Sequence, residues 1–200
     1  MASALFGVGY KVRWADYRSL PTPPVGVPER MVMETRTATS VVGLDVVPDA
    51  SQFVVPDTLT IKVSTTPDSW RLNSLSAIPG PKQVWLIKHE QGHYDIDSLL
   101  ARDFYERVRS LMGRTFADAG EAWRQLRDHR AATIGRADAI NHDYDDDTQN
   151  SEIGAEQWNW WCAIERARQL HRSPAEHNRD GRLLKIELID ALAAVGLATR

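Results

Sequence analysis

The sequence predicts an α+β fold in which a β-rich amino-terminal half packs on one long helix and a helical carboxy-terminal half follows. Three observations predict it. Nine of the ten prolines fall within the first 81 residues, and proline is excluded from helix interiors. The same region holds most of the β-branched, alternating stretches, whereas the remainder is rich in Ala, Leu, Arg and Glu, which favour helix. Strands therefore precede helices without the alternation that a parallel α/β sheet needs.

Taken in order, strands are expected around residues 10–14, 31–42 and 58–64, the last (TLTIKVS) alternating as a half-buried strand does. The segment PTPPVGVP, residues 21–28, is a proline-rich loop. A long helix opens with Gly80 as N-cap and Pro81 at its first position, and Gly113 is placed to end it in a left-handed cap. A second helix is expected after Thr115, with Asp118 at capping-box spacing, running to about Gly135. The stretch NHDYDDDTQN, residues 141–150, reads as a solvated acidic loop or helix end. A third helix is expected over 155–171, closing with His171, Arg172 and Pro174, and a fourth over 182–194 with Leu184, Leu188 and Leu192 on one side. A chain of 200 residues fits one domain, with a β-rich part at 1–79 and a helical part at 80–200.

Composition narrows the function. With 42% hydrophobic and 26% charged residues the chain is of ordinary globular make-up, and a net charge of -3 argues against nucleic-acid or anionic-membrane partners. The single cysteine, Cys162, permits neither an internal disulfide nor a cysteine-rich metal knot. The opening MASALFGVGYKVRW lacks a basic lead and a clear apolar core, so a cytoplasmic location is expected, and no later run approaches a membrane span.

The chemistry concentrates in WLIKHEQGHYDI, residues 85–96. On a helix, His89 and His93 lie one turn apart and aim their imidazoles at a common point, while Glu90 is offset to the flank. That is the HExxH arrangement for zinc: two nitrogen ligands, and a carboxylate able to reach an activated water without occupying a coordination position. Both histidines also fall on the apolar stripe Leu86, Ile96, Leu100, Phe104, Val108 and Leu111, so they face the core. Burying two imidazoles costs a few kcal/mol unless partners are supplied, and a metal supplies both at once. Gly92 inside the helix costs about 1 kcal/mol against alanine, which is better explained where a ligand or neighbouring backbone comes close.

The run IKHEQGHYDI with LLARDFYERV after it resembles a bacterial family of unknown function described as secreted zinc-dependent proteases, whose hallmark is HEQ-x-HFDI. Similar features are VRWADYRSLP near the start, Asp68-Ser69-Trp70, and a distal YD-x-x-T segment, here Tyr144 to Thr148, followed by Gln157 and Trp160. The likeness spans about residues 9–161 and implies a zincin-like fold, bound Zn2+, a peptide or protein substrate and export. Where the family has a distal His-Gly, this chain has Asn150-Ser151. If that histidine is a ligand, another residue must replace it; Asp145 is the first choice, with Asp147 and His142 as rivals. Tyr144 is a candidate donor to the transition-state oxyanion, and a buried phenol bonded to a carboxylate explains it equally well. The competing expectation is an inactive or metal-free binding module of the same fold, favoured by Asn150.

Other features carry less. Asp143, Asp145 and Asp147 begin an EF-hand spacing, but Thr148 and Gly154 stand where its Gly and Glu should be. Trp158, Trp160 and Trp161 are expected in the core, with Cys162 buried and inert beside them. His129, His171 and His177 are expected at helix ends or on the surface.

Overall fold

The computed structural model describes residues 3–28, 31–169 and 186–197. It is a mixed α+β molecule. Eight strands precede the long helix: β1 (Ala4–Phe6), β2 (Arg18–Leu20), β3 (Met33–Glu34), β4 (Thr37–Val42), β5 (Val47–Asp49), β6 (Gln52–Val54), β7 (Thr60–Thr65) and β8 (Trp70–Leu72). Helix α1 (Gly80–Arg109) follows, then β9 (Thr115–Phe116), α2 (Ala119–Ala131), α3 (Ala137–Thr148), α4 (Gly154–Gln169) and α5 (Leu188–Ala194). The strands form three small sheets, ordered β1-β7-β4, β2-β8-β3 and β5-β6-β9. Because β9 pairs with β6, the two parts of the chain share one sheet.

Strand β7 keeps the expected alternation, with Leu59, Ile61 and Val63 buried beneath an exposed Lys62. It lies between a parallel β1 and an antiparallel β4, so β1 and β4 are the edges. The expected strand at 31–42 is broken at Thr35-Arg36, with β3 joining β8 and β4 joining β7. Ser69 fixes the break, accepting from the Arg36 N–H and donating to the Arg36 carbonyl, both at 3.0 Å. Trp70 donates its indole N–H to Glu34 at 2.6 Å. Residues 10–14 form no strand. Their backbone bonds to the Gln91 side chain, which accepts from the Val12 N–H (2.9 Å) and donates to the Tyr10 carbonyl (3.0 Å).

Helix α1 is buried on nearly all sides in its middle because it separates two cores. Tyr94, Ala101, Phe104 and Val108 pack against Ile61 and Val63 of the sheet and Leu126 of α2. Ile96, Leu99 and Leu100 pack against Tyr144 of α3, Trp160 and Ile164 of α4, and Leu188 of α5. Each such side chain contributes roughly 1.5–3 kcal/mol by leaving water. Arg102, buried beside Asp103, donates to its carboxylate and to the Ala167 carbonyl (2.7 Å), while Asp103 accepts from the Leu188 N–H (2.8 Å). This satisfied ion pair ties α4 and α5 to α1.

Several expectations are corrected. Helix α1 ends at Arg109, and left-handed Gly113 belongs to the following turn, its N–H bonded to the Val55 carbonyl. Asp118 caps α2, but the helix stops at Ala131 and a short 3-10 turn covers Ile134–Arg136. Of the two readings of the acidic stretch the helix end holds and the loop does not: it closes α3, with Ile140, Tyr144 and Thr148, four apart, buried on one side. Acidic neighbours hid that stripe. Trp160 is core, but Trp158 is 63% exposed, half-buried Trp161 rests on Trp85 and Cys162 is exposed. His129 sits half-buried in the last turn of α2, and burial lowers its pKa. Arg182, Leu184, His171, Arg172, Pro174 and His177 lie outside the described residues. Among the described residues no helix is long and apolar enough to cross a membrane.

Candidate metal centre

Three Lewis bases converge where α1 faces α3. The Nε2 atoms of His89 and His93 lie 3.1 and 3.0 Å from Oδ1 of Asp145. Ligands about 2.0–2.1 Å from a tetrahedral zinc stand roughly 3.3 Å apart, so one ion fits with small adjustments. The donor set, two imidazoles and a carboxylate, is one that zinc accepts, and among the described residues it is the one cluster of at least three His, Cys, Asp or Glu ligand atoms so close together. Asp147 turns away and accepts from the Trp160 indole at 3.1 Å. His142 is exposed on the rim, paired with Asp146 at 3.4 Å.

Two amides set the direction of the imidazole lone pairs. His93 Nδ1 is 2.8 Å from Oδ1 of Asn141, whose amide nitrogen donates to Asp97 at 2.8 Å. Reversing that amide would aim its carbonyl at a carboxylate. His89 Nδ1 is likewise 2.8 Å from Oε1 of Gln157, whose amide nitrogen donates to the Tyr144 hydroxyl. That hydroxyl donates onward to the His89 carbonyl at 3.2 Å. Both Nδ1 atoms are therefore donors, and both Nε2 lone pairs meet the Asp145 carboxylate. Such a meeting is repulsive unless a cation sits between, either a proton or a metal. Outer partners of this kind hold ligating histidines in metal sites.

Tyr144, expected at an oxyanion, lies behind the ligands instead. It is fully buried, stacks on the His89 ring at 4.7 Å and meets His93 edge-on at 4.9 Å. Burial raises its pKa far above the usual phenol value, and its hydroxyl is engaged away from the cleft. What comes close to Gly92 is a side chain rather than backbone: a methyl there would overlap the Tyr144 ring and hydroxyl. Its cost inside α1 offsets the approach that lets α3 bring Asp145 to the histidines.

Glu90 is buried on the cleft side, and its Oε2 accepts the Thr35 N–H at 2.7 Å. The break between β3 and β4 frees that N–H from sheet pairing, and the Thr35 hydroxyl is held by Tyr17 at 2.6 Å. A cleft of about 690 Å³ opens over the four residues, lined by Thr35, Arg36, Thr37 and Thr39 together with Arg130, Ile134 and residues of α3. Asn150 lines it as well. Glu90, His89, His93 and Asp145 are thus brought together. Asn141 and Asp97 were missed by sequence reading, and Gln157 entered only through the resemblance. The Asn141–Asp145 spacing of four would have shown the former, had residues 141–150 been read as helix.

No protein-family model matches the chain, and neither a curated protein nor a solved structure matches it.

Without metal, a proton bridges the site. Burial opposes a charge on His93, but the hydrogen bond and charge of Asp145 outweigh it and raise the pKa to about 9. Burial likewise acts to raise Asp145, yet the two histidines hold it well below the usual carboxylate range. Burial raises Asp97 to about 6. The folded state therefore binds protons on His93 and Asp97 more tightly than the unfolded chain. The His93 contribution is complete below pH 6.5 and lost as pH rises through 9; that of Asp97 is complete below about pH 4 and lost through 6. Asp145 acts oppositely, its contribution being present above about pH 4 and lost below. Metal-free protein is expected to be most stable near pH 5 and to lose about 3 kcal/mol from His93 between pH 6.5 and 9. Urea unfolding of chelator-treated protein at pH 5, 7 and 9 measures this, and stability rising towards pH 9 would refute the bridge.

Proposed function

We propose that this protein is a zinc-dependent metallopeptidase with a zincin-like arrangement, His89, His93 and Asp145 holding the ion and Glu90 serving as general base. The observation that carries the reading is the pair of Nδ1 donors, which leaves two imidazole lone pairs and a carboxylate facing one point beside a buried glutamate. Zinc in that position supplies Lewis acidity, lowering the pKa of water to about 7 and polarising a carbonyl. Glu90 accepts the proton of the attacking water and returns it to the leaving amine. The Thr35 N–H holds one Glu90 oxygen and leaves the other to take the proton.

A peptide suits the cleft because β4 runs along its wall as an edge strand. Its outer N–H and C=O groups have no strand partner among the described residues, and an extended chain can add to them. Strand β7, between β1 and β4, has no free edge to offer. The resemblance to secreted zinc-dependent proteases agrees with the reading, with Asp145 in the ligand set.

The test is metal content and activity together. Purified protein is expected to hold one zinc per chain, and peptide hydrolysis to vanish with 1,10-phenanthroline and return with zinc. Zinc well below one per chain after reconstitution would sink the reading.

A further inference from the structure

Helix α3 ends in a Schellman motif, with the Gln149 N–H bonded to the Asp146 carbonyl (3.3 Å) and the Asn150 N–H to the Asp145 carbonyl (3.1 Å). One left-handed residue suffices for that motif. Here three non-glycine residues in succession are left-handed, Gln149 (φ 46°), Asn150 (φ 52°) and Ser151 (φ 80°). Each costs on the order of 1 kcal/mol or more, and such conformations persist only where the surroundings hold them. The holding contacts are present. Trp85, one turn before His89, donates its indole N–H to the Ser151 carbonyl at 2.7 Å, and the Ile153 N–H closes back on the Thr148 carbonyl at 2.9 Å.

The strained turn places Asn150 on the cleft wall with His89, Glu90, His93 and Asp145. Among the described residues its carboxamide makes no hydrogen bond, although every other amide around the ligands is engaged: Gln91, Asn141 and Gln157 each bond at both ends. Ordinary capping needs no carboxamide. Glycine would meet the backbone demand more cheaply.

We propose that Asn150 contacts the substrate, its carboxamide N–H donating to the oxygen that becomes negative when water adds to the scissile carbonyl. The carbonyl π electrons move onto that oxygen as the new C–O bond forms, while Glu90 takes the water proton. A neutral amide donor stabilises the oxyanion without competing with it for the metal. The inference rests on the metallohydrolase reading above but not on the substrate being a peptide.

The decisive variant is Asn150→Gly, which keeps the left-handed backbone and removes only the carboxamide. Zinc affinity and thermal midpoint are expected to be unchanged or, for the midpoint, raised. Binding of inorganic phosphate to the zinc-loaded protein, a tetrahedral oxyanion read by calorimetry, is expected to weaken at least tenfold. With a hydrolysed peptide, kcat is expected to fall about 10²-fold with KM little altered. A structural asparagine would leave both readouts untouched in Asn150→Gly, and that result overturns the proposal. Loss of zinc affinity would make Asn150 a ligand and overturn it too, as would failure of the zinc-loaded wild type to bind phosphate. Failure of peptide hydrolysis alone, with the phosphate effect intact, would remove the peptidase reading and leave Asn150 in its role.

Discussion

Replacing Glu90 with Gln is expected to leave zinc at one per chain and to reduce kcat for peptide hydrolysis by about 10²- to 10⁴-fold, the range of general acid–base catalysis. The two side chains have nearly the same shape, so the buried slot beside Thr35 remains filled. The carboxamide oxygen can still accept the Thr35 N–H that Oε2 accepts at 2.7 Å. What disappears is the capacity to take a proton from water. Glu90 stands outside the three-residue ligand cluster, so metal affinity should not follow activity down. Atomic absorption and steady-state kinetics on the same sample separate the possibilities. Full turnover would remove Glu90 from the mechanism, and loss of zinc would make it a ligand.

The parts of this site that were legible in the sequence are those set by spacing within one helix. His89, Glu90 and His93 are fixed relative to one another by 3.6-residue periodicity wherever α1 packs. The helix itself was legible from its apolar stripe and from Pro81 at its start. Residues brought in from other elements were legible only in part, because sequence spacing does not encode distance across a fold. Asp145 was reached through the resemblance, whose YD pair it keeps, together with the zinc chemistry of a carboxylate, yet the length of its helix was not, since Asp143, Asp146 and Asp147 masked the buried Ile140, Tyr144 and Thr148. The break at Thr35 was invisible for a similar reason. Residues 31–42 have strand propensity throughout, and the interruption comes from Ser69 and Trp70 some 30 positions later. The choice between the two roles for Tyr144 was open for a different reason. A tyrosine beside a ligand fits either a donor or a support, and its burial, its stacking on His89 and its close approach to Gly92 put it behind the histidines.

Replacing Asp145 with Ala is expected to lower zinc affinity by more than a hundredfold, beyond the 10- to 100-fold typical when an outer partner of a ligand is lost. Two imidazoles remain, still aimed by Asn141 and Gln157, but two neutral ligands neither close a catalytic zinc site nor offset the charge of the ion. Asp147→Ala and His142→Ala are the controls. Both should keep wild-type zinc affinity, although Asp147→Ala leaves the Trp160 indole N–H without its acceptor and should cost about 1–3 kcal/mol of stability. The same Asp145 variant also acts on the metal-free protein. The carboxylate is the anion that holds the extra proton on His93 against burial, so without it the His93 pKa falls and the loss of stability from pH 6.5 to 9 flattens. A residue that only lined the cleft would change neither quantity. Isothermal titration with zinc and urea unfolding of the metal-free variant at pH 6 and 9 therefore test one carboxylate in two independent ways, and wild-type behaviour in both would move the third ligand away from Asp145.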